Sequence, residues 1–151
     1  MCDCGDGKHS NDENTEENNW VFDHGRTGYI YFRSDWGSNI TNLTIRHRSC
    51  NYINFTDRHV YNSVASGETT TPFAFEYYTG ENSCYDYWWI VFTCDGVTYT
   101  VKDNFYCSVL NDDDGDVYLA ISGSQKRLFV NFSQDHKGSG TGSRGCYVHV
   151  T

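Results

Sequence analysis

Three groups of residues in this chain have the types and spacing to do chemistry. The first is Tyr85-Asp86-Tyr87-Trp88-Trp89, in which rings and a carboxylate share five positions. Aromatic faces attract cations, and rings with one polar edge settle at membrane–water interfaces. The second is Asn111-Asp112-Asp113-Asp114-Gly115-Asp116, whose clustered oxygens suit a hard cation such as calcium. It is not an EF-hand loop. With Gly115 at the loop's glycine position, Leu110 and Ile121 fall at the first and last ligand positions, and the last requires a carboxylate. Asp112, Asp113, Asp114 and Asp116 are therefore calcium candidates beside a simpler role as a solvated β-turn, which uses the same residue types. The third group, Cys2, Cys4 and His9, could hold a soft metal, although an accessible tail with no role explains it as well.

No nucleophile elbow, His-Glu-x-x-His or phosphate-cradling glycine loop occurs in the chain. The six histidines are dispersed, so a hydrolase would need folding to bring His47 or His59 to Asp86 or Asp103. Composition also narrows the partners. A formal net charge of -9 works against nucleic acid and anionic lipid, where affinity comes from Lys and Arg displacing counterions. Membrane lipid of neutral headgroup, or glycan, remains open.

The elements that must position these residues are strands. Aromatic residues make up 17% of the 151 positions and no window carries a clean helical period, a composition that predicts an all-β fold. Asp95-Gly96 stands between two aromatic and β-branched runs, a strong hairpin signal because both turn residues tolerate positive φ. A two-residue loop there pairs Cys94 with Val97, Phe92 with Tyr99 and Ile90 with Val101, and that face is the expected core. By strand parity Trp88 points inward. Tyr85, Tyr87, Trp89, Val91, Thr93, Thr98, Thr100 and Lys102 point outward, with Tyr78 and Asp86 as expected polar contacts to a choline or a sugar.

Alternation elsewhere places strands at 28–34, 40–48, 58–65, 71–78, 86–94, 97–102, 116–122, 127–132 and 146–150, with Leu43, Ile45, Phe73, Phe75, Tyr77, Val117, Leu119 and Ile121 inward. The expected fold is an antiparallel two-sheet β-sandwich over residues 20–151. Residues 1–19 are acidic and nearly devoid of apolar side chains, so a disordered arm is expected there.

The seven cysteines match no zinc pattern, and their connectivity is not legible from spacing. The chain as given has no apolar leader and no run of 18 apolar residues, which predicts no signal peptide and no transmembrane segment, and a cytoplasmic or leaderless secreted protein with free thiols. On that expectation the four sequons, at Asn39, Asn42, Asn54 and Asn131, are read as chance.

The chain resembles a small domain family of nematode proteins induced in insulin-signalling mutants, with fungal relatives. The resemblance rests on Tyr29-Ile30-Tyr31-Phe32-Arg33-Ser34, Leu43-Thr44-Ile45-Arg46-His47-Arg48, Tyr77-Tyr78-Thr79-Gly80, Asp86-Tyr87-Trp88-Trp89-Ile90-Val91 and Asp103-Asn104-Phe105, and covers most of residues 28–132. More distantly the layout is similar to aegerolysins and actinoporin-like proteins. That likeness implies a β-sandwich that binds sphingolipid-containing membranes, in a defence or cytolysin-like role, with a second copy or a partner protein as a candidate for membrane damage. The segment an actinoporin inserts, an amphipathic N-terminal helix, has no counterpart here. The leading expectation is a non-enzymatic module that binds a membrane lipid surface through Tyr78, Tyr85, Asp86, Tyr87 and Trp89. Its rivals are a calcium-assisted lectin using the same rings and a hydrolase with a spatially assembled site.

Overall fold

The computed structural model describes residues 25–50, 56–79, 85–109, 115–132 and 145–151. These form nine strands: β1 (Gly25–Asp35), β2 (Ile40–Ser49), β3 (Thr56–Val64), β4 (Phe73–Tyr78), β5 (Asp86–Cys94), β6 (Val97–Thr100), β7 (Asp116–Ser122), β8 (Arg127–Phe132) and β9 (Gly145–His149). No helix occurs among the described residues. The expected arm at residues 1–19 lies outside them.

Two sheets result. The first has five strands in the order β4-β1-β7-β8-β9, and the second has four in the order β3-β2-β5-β6. Every ladder is antiparallel except β1 with β7, which is parallel. Gly28 makes that junction possible: a Cβ there would lie 2.0 Å from the carbonyl oxygen of Gly115. The Asp95-Gly96 turn forms as the sequence predicts, with φ of 52° and 80°. It pairs Cys94 with Val97 and Phe92 with Tyr99. The second strand stops at Thr100, and Val101 turns inward to become core.

The core lies between the sheets and contains the inward set read from alternation. Leu43, Ile45, Phe75, Tyr77, Trp88, Ile90, Phe92, Val117, Leu119 and Ile121 are buried, whereas Phe73 is half-buried at the margin. Hydrogen bonds bridge the two sheets at both open sides of the sandwich. Thr151 and Thr100 exchange backbone hydrogen bonds of 2.9 and 3.4 Å across the β6 and β9 edges. On the other side Glu76 N donates to Asp57 Oδ2 at 3.1 Å and the Tyr61 hydroxyl donates to the Thr71 carbonyl at 2.6 Å.

The expectation of free thiols is overturned. Cys107 and Cys146 form a disulfide, with Cα atoms 6.2 Å apart, which ties the segment after β6 to β9 in the other sheet. Cys50 is also disulfide-bonded. Cys94 stays a buried thiol, and burial, then the Asp95 charge, push its pKa up. Spacing could not show these links because disulfide geometry depends on Cα separations that only the fold sets.

Candidate binding surface

The outer face of the second sheet carries the sequence's aromatic segment, and the strand register supplies what that segment lacked. Directly paired residues on neighbouring antiparallel strands share a face. Arg46 of β2 pairs with Arg58 of β3 on one side and Trp89 of β5 on the other. The adjacent row is Thr56, Arg48 and Tyr87, continued by the bridge from Tyr87 to Tyr106. A third row holds Val60, Thr44, Val91 and Thr100. Three arginines and a group of aromatic rings therefore meet on one surface.

Within it, the Arg46 guanidinium lies 4.9 Å from the Trp89 ring centroid, a cation–π geometry. Its Nη2 donates to Asp103 Oδ1, and that bond holds the Asp103 carboxyl below its ordinary value against the opposing effect of burial. Arg46 Nε is buried and has no hydrogen-bond partner among the described residues. Burial first, then the neighbouring Arg46 charge, pull the Arg48 guanidinium below its ordinary pKa, with Asp103 opposing. The two guanidinium groups lie close enough to repel each other, and the Asp103 carboxylate offsets that repulsion in part.

Tyr85 stacks on Tyr106 at 4.2 Å with planes 7° apart, and Tyr87 meets Tyr106 at 5.9 Å. Tyr106 was not read from the sequence as a site residue. The signal was present in the alternation of Phe105, Cys107 and Val109, all buried, around Tyr106, which is 49% exposed. The segment runs along β5 like an additional strand, with Cys107 N donating to the Asp86 carbonyl and Trp88 N to the Phe105 carbonyl.

Of the expected contact residues, Tyr78, Tyr87 and Asp86 are buried. Tyr87 is on the predicted face but only 7% exposed, because Tyr106 and Tyr85 pack over it. Asp86 is 1% exposed and belongs to the core side, as its shared parity with Trp88 and Ile90 requires. Its Oδ1 meets His47 Nε2 at 2.7 Å and its Oδ2 accepts from Val109 N at 2.9 Å. Trp89 and Tyr85 remain half-buried on the outer face. Tyr78 is in the other sheet. It lines a shallow pocket of about 390 Å³ with Gly25, Arg26, Thr27 and Glu76, and burial, then the charges of Glu76 and Asp57, push its hydroxyl up to about 12.

Behind the face sits a buried ion cluster. His47 Nδ1 lies 3.1 Å from Asp57 Oδ2 while Nε2 holds Asp86. With both nitrogens aimed at carboxylates, each must donate, so the ring is held as an imidazolium. Burial opposes that charge, but the hydrogen bonds and charges of Asp57 and Asp86 outweigh it and raise the His47 pKa. The ring packs between Phe75 and Trp88 at 4.8 and 4.7 Å and is 0% exposed. Folding does join His47 to Asp86, yet it leaves neither nitrogen available to a substrate. The cluster links β2, β3 and β5, and reaches β4 through Glu76 N.

Of the calcium candidates, Asp112, Asp113 and Asp114 lie outside the described residues, and Asp116 is half-buried at the start of β7, paired with Tyr29. Among the described residues no helix is long and apolar enough to cross a membrane. Compared with known proteins, the chain matches no family model and no curated sequence.

Proposed function

We propose that the protein is a non-enzymatic binding module whose second sheet reads the headgroup layer of a membrane, with a zwitterionic phosphate-bearing headgroup as its ligand. The observation that carries this reading is the row Arg58, Arg46, Trp89, flanked by Arg48 and the Tyr85–Tyr106 stack. Guanidinium groups bind phosphate through paired donors. A choline-type ammonium is attracted to aromatic faces by about 1 to 2 kcal/mol, and exposed rings such as Tyr106 suit the interfacial layer.

The overall charge selects among surfaces. A chain of net charge -9 is repelled by an anionic bilayer, while three arginines grouped on one face still favour a phosphate locally. A headgroup carrying phosphate and amine together satisfies both conditions. Sphingomyelin and phosphatidylcholine share that chemistry.

The test is co-sedimentation with phosphatidylcholine vesicles, with and without sphingomyelin and sterol, in the presence and absence of chelator. Lipid-dependent pelleting that survives chelation supports the reading. Absence of pelleting with every composition overturns it and directs the search to glycans, and chelator-sensitive binding would favour the calcium-assisted lectin.

A further inference from the structure

Two observations made separately bear on the end of the sandwich formed by the β1–β2 connection. The first is redox. The Cys107–Cys146 disulfide and the bonded Cys50 form and persist in oxidising compartments. In eukaryotic cells that compartment is also where Asn-x-Ser/Thr sequons are glycosylated. The second is the placement of the sequons, which the fold sorts. Asn39 and Asn42 are exposed. Asn131 is half-buried in β8 between two paired strands, and its Oδ1 lies 2.5 Å from where a Cβ on Gly145 would stand. Asn54 lies outside the described residues.

Local geometry favours the exposed pair further. Thr41 pairs with Thr93 and Thr44 with Val91, so Asn42 and Leu43 together face the single residue Phe92, a β-bulge that re-aims side chains. Asn42 has φ of 52°, which the left-handed region permits for Asn. That requirement accounts for Asn at position 42 but not for Thr at 44, nor for a second sequon three residues upstream. Asn39 uses its Oδ1 as acceptor from Ser63 Oγ at 3.2 Å, a contact that a glycan on Nδ2 leaves intact. Attachment precedes folding, so the fold decides only whether a glycan can be carried afterwards, and here it can.

We propose that the Asn39 and Asn42 sequons are an N-glycosylation site. The asparagine Nδ2 forms a bond to C1 of an oligosaccharide carried on a lipid diphosphate. The bond between that carbon and the phosphate oxygen breaks, the lipid diphosphate leaves, and one amide proton is released. The site lies about 13 Å up β2 from Arg46, at four residues of strand rise, so the glycan projects from the end opposite the Tyr85–Tyr106 stack.

The full chain is produced through the secretory pathway of a eukaryotic cell and treated with an amidase that removes N-glycans. Thr41→Val and Thr44→Val abolish the two sequons while keeping the β-branched shape, and Asn131→Gln and Asn54→Gln serve as controls. The expected result is an amidase-sensitive mobility shift of one or two glycan steps that the Thr41→Val/Thr44→Val double variant removes and Asn131→Gln does not change. Folded protein with the Cys107–Cys146 bond formed but no such shift would overturn the proposal. So would a shift that survives the double variant and disappears in Asn131→Gln or Asn54→Gln.

Discussion

The two outer faces of the sandwich are both aromatic, yet they differ in charge. On the five-stranded sheet Tyr31 stacks on Tyr118 at 5.1 Å and Phe129 meets Tyr147 at 6.1 Å. Arg33 is satisfied by Asp35 at 3.1 Å, and Arg127 lies over the Tyr147 ring. On the four-stranded sheet Arg46, Arg48 and Arg58 share a surface with Trp89 and Tyr106, and Asp103 pairs with Arg46. Exposed rings therefore do not single out a binding face in this molecule. What sets the proposed face apart is the grouping of three guanidinium groups beside the rings, in a chain whose net charge has the opposite sign.

The largest effect that could break this comparison comes from behind the arginine face. Replacing His47 with Leu leaves two carboxylates without their cation, one of them fully buried, at a cost of about 3 to 5 kcal/mol. Urea unfolding measures this, and a loss under about 1 kcal/mol would show that the cluster contributes no more than a surface pair. Hydrogen exchange should rise more in β2, β3 and β5 than in β7 and β8, because His47 ties only the former together. The same cluster sets a pH dependence. The folded His47 pKa is raised above 6.5, so its stabilisation is complete below that value and is lost as pH rises through the folded pKa. A fall in the urea midpoint on the alkaline side is expected for the natural protein and should be absent in His47→Leu.

Next in size is binding itself. Trp89→Ala or Arg46→Gln removes a central ring or cation, and should weaken vesicle binding by about 2 kcal/mol, roughly thirtyfold, as central aromatic and arginine contacts do. Tyr147→Ala on the opposite face should leave binding unchanged. Equal losses from both faces would erase the distinction between them. The smallest effect expected is Tyr118→Ala, which removes the Tyr31 stack and should cost about 1 kcal/mol of stability without altering binding.

Much of the scaffold was legible in the sequence because alternation and turn chemistry are local. Asp95-Gly96 fixed its hairpin, and Val117, Leu119 and Ile121 declared their inward face. The proposed binding face was only half legible. Its ring row could be read within β5, but Arg46 and Arg58 joined it through pairing of β2 with β3 and β5, a non-local choice that periodicity does not encode. Tyr106 sat in a segment with too little repeat to count as a strand. Asp86 was readable by parity, and its buried position follows from the same rule that sent Trp88 inward. The parallel contact of β1 with β7 and the Cys107–Cys146 bond both depend on how distant segments stack.

The most direct measurement is quenching of tryptophan fluorescence by brominated phosphatidylcholine in vesicles, comparing the natural protein with Trp89→Phe. Among the described tryptophans, Trp88 is buried in the core and Trp36 sits under Lys126 at the far end, so Trp89 is the one that the proposed binding face presents. Quenching in the natural protein that disappears in Trp89→Phe is the predicted result. Quenching that persists undiminished in the variant, or none in either protein, would contradict the assignment of the arginine–aromatic sheet as the membrane-reading surface.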